Sequence, residues 1–440
     1  MRHVILGNGT AGVTAAETIR KNAPDDTILL VGDEPGLPYS RMSIPRLLSG
    51  EIGDNAARIR REQEFFTRHR IDLVAGRAQH ISARTRTVKM EDGCVIPFDT
   101  LLIATGAAPR KPPIAGIDMP GVHSCWTLDD ARRIIAAASP QARVVLIGAG
   151  FIGCIVMEAL ARRGVRLAVV EKRDRILPGM LSPGAGRMVQ RWCESKGIRV
   201  LTGARVTGIG TSQLQDIDGP KLVRLSNGEL LHADLVVHCA GTVPNIDFLK
   251  GSGIQCLRGV VVDASMQTSM PGVYAAGDCA ERYDMQSGRS VISGVQPNAA
   301  DQAYCAALNM TGKRAYQRGV RQIDVIDTMG LVSSSFGQWQ GIRGGQWVEY
   351  CDTRSYQYLR LEFGRDMLVG CNAVGLTEHA GILRGLIQHQ VRLGEWKDRL
   401  LENPLLVKDA YRDCVQQQYM WQSSPFHVTA PVSTSVMRAI

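Results

Sequence analysis

Short apolar runs and amphipathic stretches alternate along the chain. After His3, Val4-Ile5-Leu6 forms a brief apolar run that predicts a buried strand. It leads straight into Gly7-Asn8-Gly9-Thr10-Ala11-Gly12. The alanine-rich stretch Val13–Arg20 predicts a helix, and Thr27-Ile28-Leu29-Leu30-Val31 a second strand ending at Gly32-Asp33-Glu34. Together they make a βαβ unit with an acid at the end of its second strand. The same order returns 141 residues on. Val144-Val145-Leu146-Ile147 runs into Gly148-Ala149-Gly150-Phe151-Ile152-Gly153, a helix follows through Arg163, and a strand from Val165 to Val170 ends at Glu171.

One physical argument covers both units. The first glycine permits the tight strand-to-helix turn. The second lets a pyrophosphate approach bare backbone, and the third lets the helix pack closely on the strand. Free N–H groups and the helix dipole favour an anion at the helix N-terminus, and the acid suits a ribose hydroxyl. One G-x-G-x-x-G is weak evidence, but strand, glycines, helix, strand and acid occurring twice is strong. Two such sites imply two dinucleotides, with FAD first and NAD(P) second. Three further runs fit: Leu101–Gly106, Leu235–Gly241 and Val273–Cys279, the last carrying an exposed acid at Asp278.

Composition narrows the class. A length of 440 residues accommodates two to four domains. Hydrophobic residues make up 45% and charged residues 21%, as in globular chains, and the 46 glycines exceed the usual share. The net charge of +9 is spread evenly: residues 1–150, 151–312 and 313–440 each contribute +3. That pattern argues against a nucleic-acid arm. The cluster Arg58, Arg60, Arg61, Arg68 and Arg70 reads as a solvated helix face. None of the eleven cysteines falls in a C-x-x-C spacing, so no zinc ribbon, ferredoxin-type cluster or other metal site is expected. The N-terminal apolar run is too short for a signal peptide, and no stretch is long enough to span a membrane. The expectation is a cytoplasmic protein.

These ordered motifs resemble the two-dinucleotide flavoprotein family of ferredoxin, rubredoxin and nitrite reductases, related to glutathione reductase. The resemblance covers about residues 1–312. It implies an α/β fold of two Rossmann-like dinucleotide-binding domains, the NAD domain inserted in the FAD domain, plus an α+β C-terminal domain. The FAD domain spans 1–112 and 242–312, the NAD(P) domain 113–241, and an interface or docking domain with a helical tail 313–440. Within the family pattern, Pro38-Tyr39-Ser40-Arg41 resembles the loop along the flavin, and Ala104-Thr105-Gly106 the turn beside FAD. Gly277-Asp278 resembles the motif whose acid bonds the ribityl chain. Gln296-Pro297-Asn298-Ala299, opening a helix over Asp301–Met310, resembles the segment whose N-terminus faces the flavin pyrimidine, where it would stabilise negative charge. Cofactor-binding roles are thus expected for Gly7, Gly9, Thr10, Ala11, Gly12, Glu34, Arg41, Arg46, Ala104, Thr105, Gly106 and Arg110. They extend to Gly148, Gly150, Phe151, Ile152, Gly153, Glu171, Gly241, Gly277, Asp278, Gln296, Pro297 and Ala299.

Departures from the pattern bear on the reaction. Relatives that reduce disulfides or peroxides place a cysteine beside the flavin. Here Arg41–Glu51 has none, and the first cysteine is Cys94, so thiol-relay chemistry is disfavoured. The electron-transfer branch often pairs a lysine at the position of Arg46 with a glutamate at the position of Ile155. Arg46 is the expected catalytic residue, keeping the charge without its carboxylate. Glu171 at the strand end favours NADH over NADPH, since a carboxylate repels a 2′-phosphate. Lys172-Arg173 pulls the other way.

Residues 313–440 hold thirteen of the 24 aromatics, which supports a boundary there. Strands are expected over 321–336 and 345–371, helices over 378–393 and 394–416, and a polar tail beyond Gln416 lying along a neighbour or moving freely. In related reductases such a domain covers the flavin, supports dimerisation or receives the partner.

The leading expectation is an NADH-dependent FAD oxidoreductase passing electrons to an iron–sulfur or similar protein. Other readings are a flavin subunit of a larger redox complex, a direct quinone or oxygen reductase, and a flavoprotein sensor.

Overall fold

The computed structural model describes residues 1–62, 64–82, 84–211, 219–283, 290–317, 319 and 323–422. The chain divides into two compact units, Met1–Gln322 with Ile326–Leu331, and Ile323–Val325 with Val332–Ile440.

The first unit holds the duplication. Arg2–Leu6 pairs in parallel with Thr27–Gly32 on one side and Thr100–Ile103 on the other. Ile71–Ala75 and Val273–Ala275 complete a five-stranded parallel sheet. The second repeat builds the same order: Arg143–Ile147 lies between Arg166–Glu171 and Leu235–His238, with Arg199–Thr202 and Val122–Ser124 at the edges. The central strands are buried on both faces, which is why they read as unbroken apolar runs rather than as alternation.

The likeness extends beyond the motifs. Each repeat inserts a three-stranded antiparallel meander before its returning strand: Ala78–Ser82, Thr87–Met90 and Val95–Pro97 before Thr100–Ile103, and Val206–Thr211, Lys221–Leu225 and Leu230–Ala233 before Leu235–His238. A two-stranded ribbon, Ala107–Pro109 against Thr242–Pro244, carries the chain from one repeat to the other and back.

The first glycine-rich helix, Thr10–Asn22, packs on Gln296–Met310 through small side chains. Gly277 lies between Ala11 and Ala299, where an added Cβ would be in ordinary van der Waals contact with their methyl groups at 3.5 and 3.6 Å. The stretch containing Arg58–Arg70 is not one helix. It is loop with helical turns at Asp54–Ala57 and Phe65–Arg68, and Arg60 and Arg68 pair with Glu17 and Glu62.

In the second unit, Leu331–Gly337, Met367–Val374, Gln357–Gly364 and Gln346–Asp352 are neighbours in an antiparallel sheet. Three helices follow where two are expected: Ala380–Gln388, Trp396–Glu402 and Val407–Gln422. Gly394 at φ +55 separates the first two. Pro404 interrupts the next, because it lacks the N–H a continuing helix needs. The helix reaches Gln422, past the expected start of the tail. Residues 423–440 lie outside the described residues, as do 321 and 322 of the first expected strand.

Candidate functional site

Both glycine-rich turns have the geometry that their spacing implies. Gly7 sits at φ +110, and a Cβ there would fall 2.1 Å from the Ala104 carbonyl oxygen. A Cβ on Gly12 would fall 1.8 Å from the Gly7 oxygen. The second turn repeats this: Gly148 at φ +101 faces the Cys239 oxygen at 2.5 Å, and Gly153 the Gly148 oxygen at 2.0 Å. These four glycines make the turn and the close packing. Gly9 and Gly150 differ, since nothing lies within 4 Å of a Cβ added to either. Both are N-caps without a side-chain cap, so the first N–H groups of each helix have no side-chain acceptor there. That bare, N–H-rich surface fits a diphosphate.

Two cavities flank the first turn. One is lined by Gly7, Gly32, Asp33, Gly76, Arg77, Thr105 and Asn245. The other collects residues from both repeats. Gly9, Thr10, Ala11, Glu34, Arg41, Ala104, Gly106, Gly277, Asp278, Gln296 and Ala299 line it, and Phe151 and Ile152 face it from the second turn. Met42, Ile44, Pro45, Ile155 and Val156 make its apolar wall. A cavity on each side of this bare turn would suit an elongated dinucleotide with its diphosphate at Gly9.

Other expected residues lie elsewhere. Arg46 does not line either cavity. It is 62% exposed and pairs with Glu51 at 3.3 Å. The helix Ile44–Leu48 turns Ile44 and Pro45 inward and Arg46 out. Glu51 in turn pairs with Arg162, and Arg162 with Glu158. Glu171 is buried, and its carboxylate accepts from the Ala149 N–H at 2.8 Å and the Arg173 N–H at 2.9 Å. It fastens the glycine-rich turn to the following loop. Arg110 is exposed, and its N–H donates to Gly241 within the connecting ribbon. Pro297 occupies the first turn of its helix, while Gln296 beside it accepts from the Ser40 hydroxyl at 3.2 Å.

Asp33, Trp126 and Cys125 are lining residues outside the expected set. Asp33 faces the first cavity, while the expected Glu34 beside it faces the second. Glu34 accepts from Tyr39 Oη and pairs with Arg41, each at 2.5 Å. Burial pushes the Tyr39 hydroxyl far up, so it stays a donor. Trp126 lines the cavity from the second repeat, with its indole N–H on the Ala107 carbonyl at 2.9 Å. Cys125 also lines it. A thiol therefore does reach the cavity, from a segment the motif pattern does not flag. Burial drives its pKa well up, which keeps it from being a thiolate. Burial also raises the Asp278 carboxyl, opposed by the nearby Arg41 charge. Among the described residues, no group of three or more His, Cys, Asp or Glu side chains has the arrangement of a metal site.

Two glycine-cradled helix N-termini on duplicated parallel sheets, meeting at one cavity, define an oxidoreductase of the two-dinucleotide class. The chain belongs to the pyridine nucleotide-disulphide oxidoreductase family, whose profile matches residues 1–305. It is 30% identical over 412 residues to the NADH-dependent phenylglyoxylate dehydrogenase subunit epsilon of Aromatoleum evansii, covering 92% of this chain and 96% of that one. It is 34% identical over 324 residues to rhodocoxin reductase of Rhodococcus erythropolis, covering 73% and 74%. Among solved structures, an NAD-dependent persulfide reductase from A. fulgidus superposes with a TM-score of 0.83 at 27% identity, covering 90% of this chain and 78% of that one.

Proposed function

We propose that this chain is an NADH-dependent FAD oxidoreductase that passes electrons to a protein redox partner. The observation carrying the reading is the single cavity lined by Gly9 and Thr10 of one glycine-rich turn and Phe151 and Ile152 of the other. When bound, FAD supplies what side chains lack: it accepts a hydride from NADH and yields electrons singly. The chain's own residues hold and orient. The Gly7–Gly12 turn would hold the FAD diphosphate, Asp33 and Arg77 would face one end of the dinucleotide, and Arg41 and Asp278 the other. The Gly148–Gly153 turn takes the NADH diphosphate. Glu171 shapes that turn through Ala149 and Arg173, and its carboxylate disfavours a 2′-phosphate. The apolar wall of Ile44, Pro45, Ile155 and Val156 would exclude water from the bound flavin and nicotinamide. No side-chain acid lines this wall, so its residues would act by shape and by excluding water.

Residues 1–112 and 242–312 would form the FAD domain, 113–241 the NADH domain, and 313–440 the surface for docking or dimerisation. A second reading, subunit of a larger redox complex, is favoured by the likeness to a named subunit along nearly the whole length of both chains. A cytoplasmic setting suits eleven cysteines that are all unpaired.

The test is steady-state oxidation of NADH by the FAD-loaded chain with ferricyanide. NADH that leaves the flavin oxidised overturns the proposal. Co-purification with an iron–sulfur protein supports the complex reading, and full activity of a lone monomer with soluble acceptors weakens it.

A further inference from the structure

We propose that Trp126, Arg41, Tyr39 and Glu34 form a clasp across the rim of the FAD cavity, so that FAD leaves only when the two repeats let go of each other there. The inference rests on the reading that this cavity takes FAD.

The four side chains come from different parts of the duplication. Glu34, Tyr39 and Arg41 belong to the segment after the first repeat's second strand, Thr27–Gly32. Trp126 follows Val122–Ser124, an edge strand of the second repeat's sheet. All four line the cavity. The Arg41 and Glu34 side chains are 40% and 26% exposed, which puts their charged groups at the boundary between cavity and solvent.

Arg41 closes the clasp. One guanidinium nitrogen donates to the Trp126 carbonyl at 2.6 Å and to Tyr39 Oη at 3.1 Å. Another pairs with Glu34 at 2.5 Å. The guanidinium carbon lies 5.2 Å from the Trp126 ring centroid and 5.7 Å from that of Tyr39, so the cation sits against two aromatic rings.

Both ends are anchored. On one side, Tyr39 Oη holds the Glu34 carboxylate, which fixes the counter-charge. On the other, the Trp126 indole N–H donates to Ala107, a residue of the ribbon linking the repeats. The Trp126 backbone N–H donates to Asp130, which with Thr127 forms the capping box of helix Leu128–Ala137. Trp126 is therefore held through its indole by the ribbon, through its backbone by the capping box, and through its carbonyl and ring face by Arg41 of the first-repeat loop. A wall residue needs only to fill space. This one is tied by a donor at each end and by a cation on its face.

The test is the rate of FAD release from the reconstituted holoenzyme, read as recovery of free-FAD fluorescence, with the melting temperature measured in parallel. Trp126→Ala should speed release about tenfold or more, equivalent to losing about 1.4 kcal/mol of retention. Trp126→Phe keeps an aromatic face and loses the N–H, so a smaller acceleration is expected. Glu34→Gln leaves Arg41 without its counter-charge and should also release FAD faster, with less response to added salt than the wild type. If Trp126→Ala misfolds, Glu34→Gln and Trp126→Phe carry the test. Release at the wild-type rate in these variants, or acceleration only in step with a lowered melting temperature, overturns the clasp. A wild-type chain that fails to retain FAD at all overturns instead the reading of the cavity.

Discussion

Gly7 and Gly9 are two residues apart and do different work. Gly7 combines a positive φ with a carbonyl oxygen 2.1 Å from any added Cβ. Gly7→Ala should therefore cost about 2 kcal/mol or more of stability, seen in denaturant unfolding, and take FAD binding with it. Gly9 has open space where a Cβ would go. Gly9→Ala should keep the wild-type melting temperature and lower FAD affinity about tenfold or more, because only the cofactor meets the new methyl group. Cysteine chemistry gives a second contrast. Cys125 is buried with a raised pKa, whereas Cys94 is exposed. Iodoacetamide followed by peptide mass analysis should label Cys94 well before Cys125 at neutral pH. The glycines are legible in the sequence because their spacing encodes their geometry. Glu34 is expected at the site too, but how it divides the site with Asp33 is not legible. They are adjacent acids that face different cavities, and only the path of the turn decides which faces which. Arg46 is expected at the cavity from the resemblance, yet its helix aims it at Glu51 instead.

At the scale of elements, the duplicated βαβ units can be read from the sequence because buried parallel strands and glycine-rich turns both leave strong local patterns. The meanders that each repeat inserts are quieter. Their strands are short and half-buried, so the correspondence between the two meanders emerges only from topology. The broken helices of the second unit show the same limit in reverse. Apolar periodicity predicts helix across 394–416, but Pro404 divides it. The duplication makes a prediction of its own. Gly150→Ala meets open space just as Gly9→Ala does, but on the second turn. It should leave FAD content intact and weaken NADH, raising the NADH concentration needed for half-maximal flavin reduction about tenfold. Loss of FAD on that substitution would contradict the assignment of the two turns.

Over the whole molecule, the net charge of +9 is spread along the chain and forms no tail. Among the described residues, no helix is long and apolar enough to cross a membrane. Burial holds the imidazoles of His3, His123 and His238 below their ordinary value of 6.5. Asp26 opposes this for His3, and Asp130 for the other two. A depressed folded-state pKa means that the unfolded chain binds protons first as the solution acidifies. The contribution of these histidines is therefore complete above about pH 6.5 and is lost as pH falls through their lower folded values. Asp278 and Glu362, raised by burial, act with the opposite sign, but from nearer the carboxylate range. Melting temperatures should hold steady at and above about pH 7 and fall by about pH 5.5. His238→Gln should flatten part of that slope.

The central claim is that two dinucleotides meet in one cavity and that NADH reduces the flavin bound there. Anaerobic titration of the FAD-loaded chain, followed by flavin absorbance, tests it most directly. About one equivalent of NADH per chain should bleach the flavin, with NADPH needed in clear excess. A flavin that stays oxidised under excess NADH would contradict the account.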